Sequence, residues 1–380
     1  MLTLMLAAAG ILGVGTLRPH EPGRRSIPTP ATRATTRAKT TPSTVARTAG
    51  PPVPSSPGKL LGQRIMVGLS GTSPSRALLD AVRAGHVGSI ILFASNLVSR
   101  GQTLALTGAL QRAARAGGNP RLLISVDQEG GQVKRLPAGP PNLAPPQIAA
   151  TGKPGVARQQ GAATAHYLRR WGINMDLAPV ADVPTFGGAF IWRQGRAFSF
   201  HARRVADFAT AFALGLQSGG VAATAKHFPG LGSAATDTDF KRQELSPSAA
   251  QRSAALTPYQ RMIASGLDAV MLSTAGFPAY DPTGSSAALS APIAQKLLRG
   301  QLGFRGVTIT DALGTPTGHD ERTAGLLAAQ AGADILLYTD SAPGELATLQ
   351  TALRGGRIAA ASAAASYRRI LALKHTLGLA

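Results

Sequence analysis

Ionisable side chains cluster at a few points of the 380-residue chain, each at or just beyond the end of a short apolar run. They are Asp127-Gln128-Glu129-Gly130-Gly131, Asp182, Lys226-His227-Phe228-Pro229-Gly230 and Asp311, with Arg196, Asp237 and Asp239 on the stretches between. Carboxylates beside cations suit general acid/base work, nucleophilic attack and charge-assisted hydrogen bonds to a polar ligand. A lysine at a strand end also suits Schiff-base chemistry. Each residue has a plainer reading. Asp127 can cap a following helix or make a loop salt bridge, Asp311 can cap the next helix, Lys226 and His227 can form an exposed loop pair, Arg196 can be solvated, and Asp237 and Asp239 can shape a turn among small residues. The seven histidines (His20, His86, His166, His201, His227, His319, His375) show no paired ligand spacing, and there is no cysteine. Thiol catalysis and thiolate metal sites are excluded, and neither a metal nor a cofactor is expected.

Positioning these groups takes a scaffold, and the pattern names one. Eight apolar runs recur at Ile65–Leu69, Ser89–Ala94, Arg121–Val126, Ile173–Val180, Gly220–Ala225, Asp268–Ser273, Gly306–Thr310 and Asp334–Tyr338. Helical periodicity lies between them, at Leu104–Arg115, Arg203–Leu216 and Pro292–Leu302, the last with Ser290 and Pro292 at its start. Strands alternating with helices imply a parallel sheet, and burial on both faces explains the continuously apolar runs. Eight such units predict an α/β fold of the closed (β/α)₈ TIM-type barrel class. An open doubly wound sheet is the alternative, but no Gly-x-Gly-x-x-Gly turn follows the first strand. Barrel sites are built at the C-terminal strand ends. Strand three there ends in Asp127, strand four near Asp182, strand five runs into Lys226, and strand seven ends in Asp311.

The barrel is expected over residues 59–380. Residues 1–17 are apolar and uncharged and read as a signal peptide or signal anchor; residues 18–58, rich in Pro, Thr and Arg, read as a disordered linker. The protein is therefore expected outside the cytoplasm, secreted or held at a membrane. Net charge is +21, and eight Lys and Arg against Glu21 alone place +7 of it between residues 18 and 59. A basic surface is attracted to polyanions. No nucleic-acid motif accompanies the charge and aromatics are only 5%, so an anionic cell envelope is the expected neighbour and nucleic acid is not.

The runs Asp127-Gln128-Glu129-Gly130-Gly131, Arg196-Ala197-Phe198, Lys226-His227-Phe228-Pro229-Gly230 and Ile309-Thr310-Asp311 resemble glycoside hydrolase family 3, in its single-domain β-N-acetylhexosaminidase branch, over roughly residues 60–380. The resemblance implies a carbohydrate substrate and a retaining mechanism with Asp311 as the nucleophile. It implies substrate-binding roles for Asp127, Arg196, Lys226 and His227, and a β-linked N-acetylglucosamine-type sugar, for instance from peptidoglycan fragments. The sequence departs from the branch in one loop. Leu231 and Asp239 stand where the branch usually has histidines, the second of them the general acid/base, while Asp237, which orients it, is retained. Gln132 and Ala312 also depart from the usual residues. Asp239 is expected to serve as acid/base with an acidic optimum. The alternative is a family member impaired in catalysis that binds cell-wall sugar.

Overall fold

The computed structural model describes residues 52–340 and 344–380. The segment 1–17 lies outside them, as does the linker up to residue 51. Among the described residues no helix is long and apolar enough to cross a membrane. Helix Pro57–Gly62, capped by Ser56 Oγ accepting from Lys59 N–H, is the first element of the described residues.

Eight short strands follow: β1 (Ile65–Val67), β2 (Ser89–Leu92), β3 (Leu123–Val126), β4 (Met175–Asp176), β5 (Ala222–Phe228), β6 (Ala269–Leu272), β7 (Val307–Thr310) and β8 (Leu336–Tyr338). All neighbours pair in parallel, in the order β8-β1-β2-β3-β4-β5-β6-β7. A bridge between Ile309 and Ile335, with Thr310 N–H donating to Ile335 O at 3.0 Å, joins the two ends. The eight-stranded barrel expected from the sequence is formed, and the open sheet is not.

Each strand is followed by a helix, from Arg76–Ala84 after β1 to Glu345–Arg354 after β8, and Ala360–Thr376 comes last. Their starts follow from local chemistry. Ser99, Ser290 and Asp320 accept from Gln102, Ile293 and Thr323 N–H, satisfying donors that a helix cannot satisfy itself. Alternation along the strands divides the core. Met66, Ile91, Leu123, Met271, Ile309 and Leu337 fill the barrel, while Ile65, Val67, Ile90, Leu92, Ile124 and Val126 pack outward under the helices.

Two strands differ from the expected runs. β4 has only two residues, and beyond Asp176 its pairing with β5 continues only irregularly, through the isolated bridge between Val180 and Lys226; Asp182 lies in the loop beyond, not at the strand end. β5 extends past Ala225 through Phe228, so Lys226 and His227 are strand residues and not a loop pair. Along this stretch Ala225 faces Val270 and Phe228 faces Leu272, three steps against two. The extra residue breaks the in-out alternation, and both Lys226 and His227 line the same cavity.

The last helix inserts one charged group into the core. Lys374 is fully buried, and its Nζ donates to Gln63 Oε1 at 2.6 Å and Gly88 O at 2.8 Å. Both acceptors are neutral, so burial depresses the amine to about 7. An unfolded lysine titrates near 10.4. Between these values the unfolded chain holds a proton that the folded one lacks, so stability should rise with pH from about 7 to 10, by up to ~1.4 kcal/mol per pH unit. Lys374→Met should flatten that slope. Thermal melts of both proteins across this range check it, and parallel slopes would refute it.

Candidate active site

At the C-terminal ends of the strands lies a cavity of about 390 Å³ whose lining includes every candidate residue from the sequence: Asp127, Arg196, Lys226, His227, Asp237, Asp239 and Asp311. The residues come from β5, from the segments after β3 and β7, and from two long loops. Neither helix cap proposed as the plainer reading is present. After Asp127 the chain enters a hairpin, Gln128–Gly130 with Val133–Lys134, and the helix beyond Asp311 begins at Glu321 under its own cap, Asp320.

The hairpin explains the paired glycines. Gly131 has φ +63°, and a Cβ there would run into the carbonyl of Gly195. That approach lets Gln132 N–H donate to Gln194 O at 3.1 Å. It seats the Arg196 loop against Glu129.

Glu129, for which the sequence predicts no role, is the centre of the floor. Arg196 grips it with Nε at 2.6 Å and Nη2 at 2.8 Å, and Lys226 Nζ lies 2.6 Å from both Glu129 Oε1 and Asp127 Oδ1. Burial opposes the Glu129 charge, but Arg196 and Lys226 outweigh it and hold the carboxyl down at about 2. Burial likewise opposes the Lys226 charge, and Asp127 with Glu129 raises its ammonium above the ordinary value. A lysine kept protonated between two carboxylates has no lone pair for a Schiff base. Arg196 and Lys226 thus spend their charge on Glu129 and Asp127 and make no hydrogen bond to Asp311.

His227 is fixed from both sides. Asp182, also given no role from the sequence, meets Nδ1 at 2.7 Å and accepts from Leu231 N–H at 2.7 Å, while Arg196 Nη2 lies 3.3 Å from Nε2. Arginine can only donate, so Nε2 accepts and Nδ1 carries the proton. His227 is a positioned ring with both nitrogens engaged.

Asp311 is partly buried, its backbone N–H tied to Leu272 O at 2.8 Å and its Oδ1 accepting from Ala312 N–H at 2.9 Å. Asp237 shapes the facing loop. Its Oδ1 accepts from Asp239 N–H at 3.1 Å and its Oδ2 from Gln194 at 2.9 Å. It therefore fixes Asp239 through the backbone, as a turn residue would. Asp239 itself is solvent-exposed. Partial desolvation, then the charges of Asp311 and Asp237, push its carboxyl up to about 6, and open solvent screens part of that repulsion. Five carboxylates (Asp127, Glu129, Asp237, Asp239, Asp311) face three Lys/Arg cations (Arg135, Arg196, Lys226) around the cavity. The excess negative charge favours a substrate that becomes positive as it reacts. Among the described residues no group of three or more His, Asp or Glu is arranged to hold a metal ion.

Glu129 and Asp182 were missed for the same reason. Their roles are contacts to residues 67 and 45 positions away, and no local pattern encodes those. Adjacency to Asp127 was the one available signal for Glu129.

Comparison with known proteins agrees with the barrel fold. Residues 59–373 match the description "Glycosyl hydrolase family 3 N terminal domain". An "Uncharacterized secreted glycosyl hydrolase" of Arthroderma benhamiae is 35% identical over 329 residues, covering 83% of this chain and 92% of that one. A "Beta-hexosaminidase" of Stenotrophomonas maltophilia is 36% identical over 265 residues, 67% of this chain and 76% of that one. Among solved structures, a family 3 β-N-acetylglucosaminidase from Paenibacillus sp. str. FPU-7 superposes with a TM-score of 0.80 at 34% identity. The match covers 85% of this chain and spans 62% of the Paenibacillus chain.

Proposed function

The chain belongs to glycosyl hydrolase family 3, and from that premise we propose that it is a retaining exo-glycosidase releasing a terminal β-linked N-acetylglucosamine-type sugar. The observation that carries the reading is that Asp311 and Asp239 share one cavity with a buried, charge-matched floor. Asp127, Arg196 and Lys226 hold the hydroxyls of the terminal sugar, since charged partners make the stronger hydrogen bonds. Asp311 attacks the anomeric carbon and forms a glycosyl-enzyme as the bond to the leaving oxygen breaks; water then releases the sugar with retention. Asp239 gives its proton to the leaving oxygen and takes one from the incoming water. A protein outside the cytoplasm fits the secreted relative and the apolar residues 1–17; fragments of cell-wall glycan are then the substrate within reach.

The acid role has a definite pH signature. Asp239 is competent only while protonated, so activity should fall as pH rises through about 6. Asp239→Asn should cost roughly 10²–10⁴-fold with a poor leaving group and much less with an activated aryl one. The alkaline limb near pH 6 should vanish with it. Rate profiles from pH 4 to 8 on both substrate types measure this, and an unchanged profile would remove Asp239 from the mechanism.

The exposure of Asp239 favours one second reading, a binding protein whose acid is ionised at neutral pH. Sugar binding without turnover above an Asp311→Ala control at any pH would establish it.

A further inference from the structure

Phe240 is 82% exposed, the most exposed large hydrophobic side chain among the described residues. A single exposed apolar residue is ordinary, so exposure alone says nothing. Position distinguishes this one. Phe240 lines the same cavity as Asp311 and Asp239. Its backbone N–H donates to Asp237 O at 3.3 Å, while the preceding N–H, that of Asp239, donates to Asp237 Oδ1 at 3.1 Å. One turn, anchored by Gln194 on Asp237 Oδ2, therefore presents a carboxyl and an aromatic ring as neighbours at the mouth.

A general acid must reach the oxygen that links the departing group to the terminal sugar. The residue beside it then faces the departing group, not the sugar held on the floor by Asp127, Lys226 and Arg196. An unburied aromatic face there matches the C–H face of a pyranose ring, and covering it removes apolar surface from water. We propose that Phe240 is the platform of a leaving-group subsite that stacks on a second sugar ring. The preferred substrates are then β-linked disaccharides or longer glycans, not glycosides of small alcohols. The inference rests on the hydrolase reading for its chemistry but not for its binding contact.

The test uses the full chain with Phe240→Ala and Phe240→Trp, assayed on the β-1,4-linked N-acetylglucosamine disaccharide and on methyl β-N-acetylglucosaminide, whose leaving group has no ring. Phe240→Ala should lower the disaccharide-to-methyl ratio of kcat/KM about 5- to 10-fold, chiefly through KM. Phe240→Trp should restore it. A ratio within twofold of the parent in Phe240→Ala would overturn the platform. If the parent hydrolyses neither compound, the hydrolase reading has failed separately and equilibrium binding decides. A preference for disaccharide over monosaccharide that disappears in Phe240→Ala supports the platform, and a preference that persists, or is absent in the parent, overturns it.

Discussion

Asp311→Ala should reduce hydrolysis of an aryl β-N-acetylglucosaminide by roughly 10⁴-fold or more, the scale on which loss of a covalent nucleophile is felt. The fold should survive. The Asp311 side chain accepts one local hydrogen bond, from Ala312 N–H, and belongs to none of the ion pairs beneath the cavity. Unchanged thermal unfolding would show that the loss is chemical. The space left by the carboxylate gives a sharper readout. Added azide can attack the same face of the anomeric carbon, restoring turnover with an activated leaving group and producing the α-configured azide, since one displacement has replaced two. A loss below about tenfold, or a β-configured product, would move the nucleophile elsewhere.

Lys226→Met should be the most damaging single change to the floor. It removes the cation shared by Asp127 and Glu129 and leaves Glu129, fully buried, with Arg196 as its remaining partner. Taking one member from a buried ion cluster costs about 3–5 kcal/mol, because the charges left behind stay out of water with part of their compensation gone. The pH dependence gives the sign. In the parent Glu129 is held at about 2, below its unfolded value near 4.3. Its contribution is therefore present above the unfolded value and lost as pH falls through the folded one. With Lys226 gone the folded value should rise toward the unfolded one, so this contribution shrinks at every pH above it and less of it is left for acid to remove. Urea unfolding of parent and variant at pH 7 and pH 4 measures both effects, and a destabilisation under about 1 kcal/mol would mean that the cluster relaxes without its lysine. Sugar binding should weaken together with the stability, since Asp127 then keeps only the longer contact to Arg135, at 3.5 Å.

The sequence was explicit about the scaffold and partial about the site. The eight apolar runs are visible because burial on both faces is written residue by residue, and seven of the strands lie inside or largely inside them. Asp127, Lys226 and Asp311 stood out because a barrel brings all its C-terminal strand ends to one face, so position along each run placed them before any contact was known. Boundaries were less legible. β4 stopped at Asp176 where its pairing with β5 becomes irregular, and an irregular register carried β5 through Lys226 and His227, features that depend on the partner strand.

Other properties belong to the tertiary structure alone. Lys226 meets Asp127 across 99 positions, Arg196 meets Glu129 across 67 and His227 meets Asp182 across 45. Composition records that these charges exist, not which of them cancel. Once folded, the cancellation fixes Lys226 as an ammonium, and Asp182 and Arg196 fix the His227 ring in place. The same holds for Asp239. The chain shows only an aspartate, whereas the fold raises its carboxyl to about 6 by partial desolvation and then by the charges of Asp311 and Asp237. The physical division is one of range. Apolar periodicity acts between neighbours and is written in the chain, whereas the protonation state of a buried group depends on distances to charges that only the closed barrel brings together.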